Sequence, residues 1–141
     1  MTNVSEIRVR YSETDQMGVV YYSNYFVWME VGRTNLLRDV GLTYKEMEEK
    51  GIALPVAKAF AKYIAPAFYD DLITIHSTIT SLSNIRIRID YRIFRVDKLL
   101  CTGFTEHAFI SIKDKKVIKI PDFFKERVKI PDNVEDYITK I

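Results

Sequence analysis

From Glu6 to Tyr11 polar and apolar residues alternate, with Ile7, Val9 and Tyr11 on one face. A period of two predicts a short strand. The period changes at Tyr25: apolar or small residues then fall at Tyr25, Trp28, Met29, Gly32, Leu36 and Val40, a helical spacing. This long helix is expected to start within a residue or two of Tyr22, capped by Ser23 or Asn24, and to end at Gly41. A glycine inside a helix costs up to about 1 kcal/mol against alanine, so Gly32 implies that something packs closely there. Thr43 and Glu46 form a capping box for a second, short helix that Gly51 stops.

Strands dominate the remainder. Ile52 to Tyr63 is strand-like, but Pro55 lacks a donor and puts its start at an edge or bulge. Ala57, Ala59 and Ala61 share one face; such small side chains admit the helix or a ligand, and the helix is the expected occupant. Asp71 to Leu82, Ile85 to Val96 and Leu99 to Ile112 are predicted as long strands joined by tight turns, which forces them antiparallel. In the middle strand Ile85, Ile87, Ile89, Tyr91 and Ile93 oppose Arg86, Arg88, Asp90 and Arg92, so the second face is expected to be partly wet. A short strand at Val117–Ile120 and a short helix at Pro121–Arg127 follow, and the tail KIPDNVEDYITKI is expected to pair weakly or hang free. The order predicts an α+β fold, a single domain over 1–141, with one helix covering one face of an antiparallel sheet.

Composition narrows the function. The chain has 141 residues, is 48% hydrophobic and carries a net charge of +2, which gives no electrostatic case for a nucleic-acid partner. Its single cysteine, Cys101, excludes an intrachain disulfide and a thiolate metal cluster, and suggests a cytoplasmic setting. There is no apolar run long enough to insert in a membrane. His76 and His107 lack metal-ligand spacing to other side chains and are expected to be structural or surface residues.

Candidate chemistry concentrates in YSETDQMGVVYYSNY, Tyr11 to Tyr25. A strand that ends near a carboxylate, turns on a glycine and feeds a helix start sets Asp15 beside unpaired backbone N–H groups. A free aspartate is ionised at neutral pH and intrinsically a poor base; beside a helix N-terminus, direct attack on a carbonyl is favoured over activation of water, and a bound apolar group reverses that preference. The plainer reading is a turn aspartate bonded to its own backbone. Glu13 pairs with Asp15 or, as the simpler expectation, is solvated or salt-bridged.

The segment RVRYSETDQMGVVYYSNYFVWMEVGRTNLL resembles the signature of the 4-hydroxybenzoyl-CoA thioesterase family, the hotdog-fold acyl-CoA thioesterases. AKYIAPAFYDDLITI and FISIKDKKVIKIP are similar to later stretches of the same family, so the resemblance runs from Ile7 to about Val128. It implies a hotdog fold, a curved antiparallel sheet wrapped around one long helix. It also implies a homodimer or homotetramer with active sites at the dimer interface, and thioester hydrolysis of an acyl-CoA without a metal or bound cofactor. Asp15 becomes the catalytic carboxylate, the backbone N–H of Tyr22 polarises the carbonyl, and Gly18 shapes the loop. Tyr25, Phe60 and Tyr63 become candidate acyl-pocket residues, and Ser83, Asn84 and Arg86 candidate coenzyme contacts. Two departures stand out. Short-chain bacterial relatives often carry histidine where this chain has Tyr22, and positions that are basic in some members are Ser83 and Ile85 here. An acyl-thioester dehydratase, which would want a histidine near the site, and a non-catalytic acyl-CoA-binding protein are the alternatives on the same fold.

Overall fold

The computed structural model describes residues 2–141. Five strands form the main sheet: β1 (Thr2–Arg8), β3 (Val56–Tyr63), β4 (Leu72–Leu82), β5 (Arg86–Arg95) and β6 (Lys98–Ala108). Their order is β1-β4-β5-β6-β3, and every pairing is antiparallel. Helix α1 (Asn24–Asp39) covers the inner face. β2 (Ile52–Ala53), β7 (Ile110–Ser111) and β8 (Lys116–Val117) make a small second sheet, flanked by α2 (Tyr44–Glu49) and α3 (Asp122–Arg127). This is the hotdog fold that the resemblance implied.

The inner face is apolar because the pleat sends alternate residues toward α1. Ile73, Ile75, Ile79, Ile87, Ile89, Tyr91 and Ile93 are buried there with Trp28, Met29, Leu36 and Leu37. Each side chain of this size contributes about 1.5–3 kcal/mol when fully withdrawn from water. Gly32 lies where α1 meets β4: a Cβ there would collide with Ser77 Oγ and approach Ile75 Cγ2 to 2.9 Å. Gly32→Ala should therefore destabilise the protein by about 1–3 kcal/mol despite alanine's better helix propensity, read as a lower urea midpoint at unchanged slope.

Several boundaries differ from the sequence reading. β1 ends at Arg8, and Tyr11–Glu13 is a 3₁₀ turn that leaves Tyr11 exposed rather than on the apolar face. The buried Glu13 carboxylate causes this, since it turns back to accept a bond from Arg10 N–H (2.8 Å). Pro55 splits the expected Ile52–Tyr63 strand into β2 and β3, with a further register shift between Val56 and Lys58. The expected Leu99–Ile112 strand breaks after Ala108, and only Ile110–Ser111 continues, in the second sheet. Ala57 and Ala59 are exposed, so the expectation that α1 fills the space over them fails at these two positions; Ala61 does pack against the core.

The tail departs most from expectation. It does not hang free. It lies on the outer face of the sheet, where Thr139 N–H donates to Asp90 Oδ2 (2.6 Å) and Thr139 Oγ1 donates to Gly103 O (2.8 Å). Asp90, on the face expected to be wet, is 2% exposed. Arg88 reaches it through both Nε (2.9 Å) and Nη2 (3.2 Å), and Thr80 Oγ1 also donates to it. A buried carboxylate is tolerated only when its oxygens are this well bonded.

Candidate active site

The site is assembled by the segment between β1 and α1, and Glu13 holds that segment in place. Its carboxylate is 4% exposed and accepts a bond from Trp28 Nε1 (2.9 Å), on the second turn of α1. Its backbone oxygen accepts from Tyr21 N–H (2.8 Å) and Asn24 Nδ2 (2.9 Å). A buried indole N–H requires an acceptor, so Glu13 both satisfies Trp28 and ties the loop to the helix. Glu13 is neither solvated nor paired with Asp15; the salt-bridged expectation holds, since Arg10 Nε lies 3.7 Å from Glu13 Oε1. The sequence carries a signal only in hindsight: one glutamate and the one tryptophan, fifteen positions apart.

Asp15 follows in a tight loop closed by Asp15 N–H to Val19 O (2.9 Å) and Gly18 N–H to Asp15 O (3.0 Å). Gly18 has φ +81° and open space around its Cα, so the glycine is required by backbone conformation and not by close approach. Asp15 Oδ1 accepts from Met17 N–H (2.8 Å), so the plain turn role is present as well. The other carboxylate oxygen has no donor among the described residues.

Helix α1 begins differently from the expectation. Ser23 is the N-cap residue but its side chain caps nothing, and the Asn24 side chain is spent on Glu13 O. The first helical N–H groups instead bond three residues back: Asn24 to Tyr21 O, Tyr25 to Tyr22 O and Phe26 to Ser23 O. Just before them, the N–H groups of Tyr22 and Ser23 have no acceptor among the described residues.

Asp15, Tyr21, Tyr22, Tyr25, Tyr63 and Ile64 line one cleft of about 370 Å³, together with the short segment after β3. The aromatic rings run in series, Tyr22 to Tyr63 at 6.5 Å, Tyr63 to Tyr25 at 5.1 Å and Tyr25 to Trp28 at 4.8 Å between centroids. Tyr63 Oη donates to Tyr22 O (3.0 Å), fixing the peptide that follows the open N–H of Tyr22. Burial pushes the Tyr25 phenol up to about 12 and raises that of Tyr63; Tyr21 is raised by its hydrogen bond with Tyr22. These three phenols are therefore neutral near pH 7.

The other expected contacts lie elsewhere. Phe60 stacks on Phe104 (5.7 Å), and its cross-strand row with Asp90 places it on the outer face. It is not in the cleft. Ser83, Asn84 and Arg86 form the turn at the opposite end of β4 and β5, where Ser83 Oγ accepts from Arg86 N–H (3.1 Å). Within one chain they do not reach Asp15. Neither histidine lines the cleft, and His107 is buried with its ring nitrogens on Leu54 O (3.0 Å) and Thr105 Oγ1 (2.9 Å). Cys101 is buried and its thiol is pushed up to about 12, so it is no nucleophile. Among the described residues no helix is long and apolar enough to cross a membrane.

A curved antiparallel sheet wrapped around one long helix is the hotdog architecture of thioester hydrolases. The chain belongs to the thioesterase-like superfamily, whose family model matches residues 9–128. YneP of Bacillus subtilis, named as a provisional acyl-CoA thioesterase, is 45% identical over 122 residues, 86% of this chain and 88% of that one. The solved structure of the DHNA-CoA thioesterase of Staphylococcus aureus aligns with TM-score 0.83 and 33% identity, covering 89% of this chain and 85% of that one. 4-Hydroxybenzoyl-CoA thioesterase, solved with 4-hydroxybenzoyl-CoA bound, aligns with TM-score 0.83 over 91% of this chain and 99% of that one; at 20% identity the likeness is one of fold.

Proposed function

We propose that the protein is an acyl-CoA thioesterase in which Asp15 acts on the thioester carbon and the Tyr22 N–H binds the carbonyl oxygen. One observation carries this reading: a carboxylate oxygen without a donor and a backbone N–H without an acceptor belong to residues of the same cleft. Asp15 either attacks the carbonyl, giving a mixed anhydride that water cleaves, or takes a proton from the attacking water. Both routes release the acid and the CoA thiol, and neither calls for a metal or redox cofactor. The Tyr22 N–H is ready to bond the oxyanion as charge develops, which is where such donors act. Tyr25 and Tyr63 form the aromatic wall against the acyl group. Hydrolysis of a panel of acyl-CoA esters, followed by released thiol, tests the reading; no turnover of any member overturns it.

If the N–H and not the phenol of Tyr22 polarises the carbonyl, Tyr22→Phe should lower kcat by less than about tenfold. A loss as large as that of an Asp15 variant, with the structure intact, makes the phenol catalytic.

A homodimer completes the reading. β3 is an edge strand with most of its residues exposed, a configuration that invites pairing. It runs from Val56, paired with His107 near the Ser83–Arg86 turn, to Tyr63 at the cleft. Antiparallel pairing of two β3 edges would carry the turn of one copy toward the cleft of the other, an arrangement in which Ser83, Asn84 and Arg86 could meet the same substrate. Light scattering should give at least twice the chain mass of 16.5 kDa; the monomer mass at micromolar concentration overturns the dimer. A lone, buried cysteine fits a cytoplasmic setting.

A further inference from the structure

The outer face of the sheet holds a second pocket, of about 490 Å³, whose walls include Lys62, Arg92, Phe94, Thr102, Tyr137 and Lys140. Three of these are cations, and no carboxylate side chain lines the pocket. Strand register builds it: Arg92 on β5 pairs with Thr102 on β6, and Thr102 pairs with Lys62 on β3. The row therefore reads cation, hydroxyl, cation, with the outer two Cα atoms roughly 10 Å apart from the spacing of strands. That gap suits a phosphate or pyrophosphate, with the threonine hydroxyl at its floor.

The cations are unspent. None of Lys62, Arg92 and Lys140 makes an ion pair among the described residues. The outer-face carboxylates nearby are already engaged, Asp90 by Arg88 and Thr139 N–H, and Glu106 by Lys58 (3.8 Å). Two aromatic rings complete the pocket: the Arg92 guanidinium lies 5.7 Å from the Tyr137 centroid, and Phe94 stands on the same strand. Planar bases stack on such rings and phosphates bond such cations. The position matters as well. Ile64 lines both this pocket and the Asp15 cleft, so the two meet at the end of β3.

We propose that this pocket binds the phosphorylated nucleoside end of the substrate, with Lys62, Arg92 and Lys140 on its phosphates and Tyr137 or Phe94 against its base. The ligand's identity rests on the thioesterase reading above; the existence of the site does not. The tail is then a wall of the substrate site, since Tyr137 and Lys140 belong to the segment that Asp90 anchors.

Two measurements test this. The first is calorimetric titration with adenosine 3′,5′-bisphosphate of the full chain, of a Lys62→Ala/Lys140→Ala double variant, of Arg92→Gln and, as the rival site at the β4–β5 turn, of Arg86→Ala. Both lysines are exposed, so the double variant should fold even if Arg92→Gln does not. Saturable binding by the native chain, weakened about tenfold or more in the double variant and in Arg92→Gln, is the expected result. The second compares acyl-CoA with the matching acyl-pantetheine, which lacks the phosphates. In the double variant KM for acyl-CoA should rise about tenfold with kcat changed less than about twofold, while KM for acyl-pantetheine stays put. Equal binding of the bisphosphate by native and double-variant protein overturns the proposal, as does a loss confined to Arg86→Ala. Bisphosphate binding that the variants abolish, in a protein that hydrolyses no acyl-CoA, upholds the site and sinks the thioesterase reading. Hydrolysis with no bisphosphate binding and an unmoved KM does the reverse.

Discussion

Asp15→Asn should lower thioester hydrolysis by about a hundredfold or more, with the melting temperature moved by only a few degrees. The substitution keeps an oxygen able to accept the Met17 N–H, so the tight loop through Gly18 retains its local bond. It removes the negative charge and one of two equivalent oxygens. The fold does not lean on that charge: the loop is held by Glu13, through Trp28 Nε1 and through its own backbone oxygen, and by the Asp15–Val19 backbone bond. A rate within about threefold of native, in protein that melts normally, would remove Asp15 from the chemistry.

Asp90→Ala should be the most destabilising of the substitutions considered, by about 3–5 kcal/mol. Asp90 is buried and bonds Arg88, Thr80 and Thr139 at once. Truncating it leaves a half-buried guanidinium and a backbone N–H without their acceptor, which costs far more than the pair contributes when intact. The tail should loosen with it, seen as faster hydrogen exchange at the Thr139 amide and a lower urea midpoint. A midpoint within experimental error of the native one would show that the tail is not anchored through Asp90.

The sequence by itself determined the main architecture. Period-two alternation in Ile85–Val96 named Ile87, Ile89, Tyr91 and Ile93 as buried, because side chains of a strand can face only two ways, but it missed the buried Asp90 and placed Ile85, which is exposed, on the same apolar face. The helical spacing from Tyr25 to Leu36 named the face of α1 that is buried, and Gly32 announced the close contact with β4. The Thr43 cap of α2 was legible because capping joins neighbours in sequence, and Thr43 Oγ1 does accept from Glu46 N–H (3.1 Å). The pairing of a loop carboxylate with a helix start was legible for the same reason: Asp15 and Tyr22 are seven residues apart and share a cleft.

Only the tertiary structure decided what depends on groups distant in the chain. Glu13 looks like a surface glutamate until Trp28 is placed above it, since no local rule links a carboxylate to an indole several turns away. The Ser23 and Asn24 caps, each reasonable alone, lost to the contact with Glu13 O and to bonds reaching three residues back. Phe60 went to the outer face because its strand's phase was set by the bulge after Val56, which shifts every later side chain across the sheet. The tail read as mixed and weak because its amphipathic pattern is short. Its stability comes from a buried carboxylate on β5, 49 residues away from Thr139, and burial of a charge is a property of the whole fold rather than of any stretch of sequence.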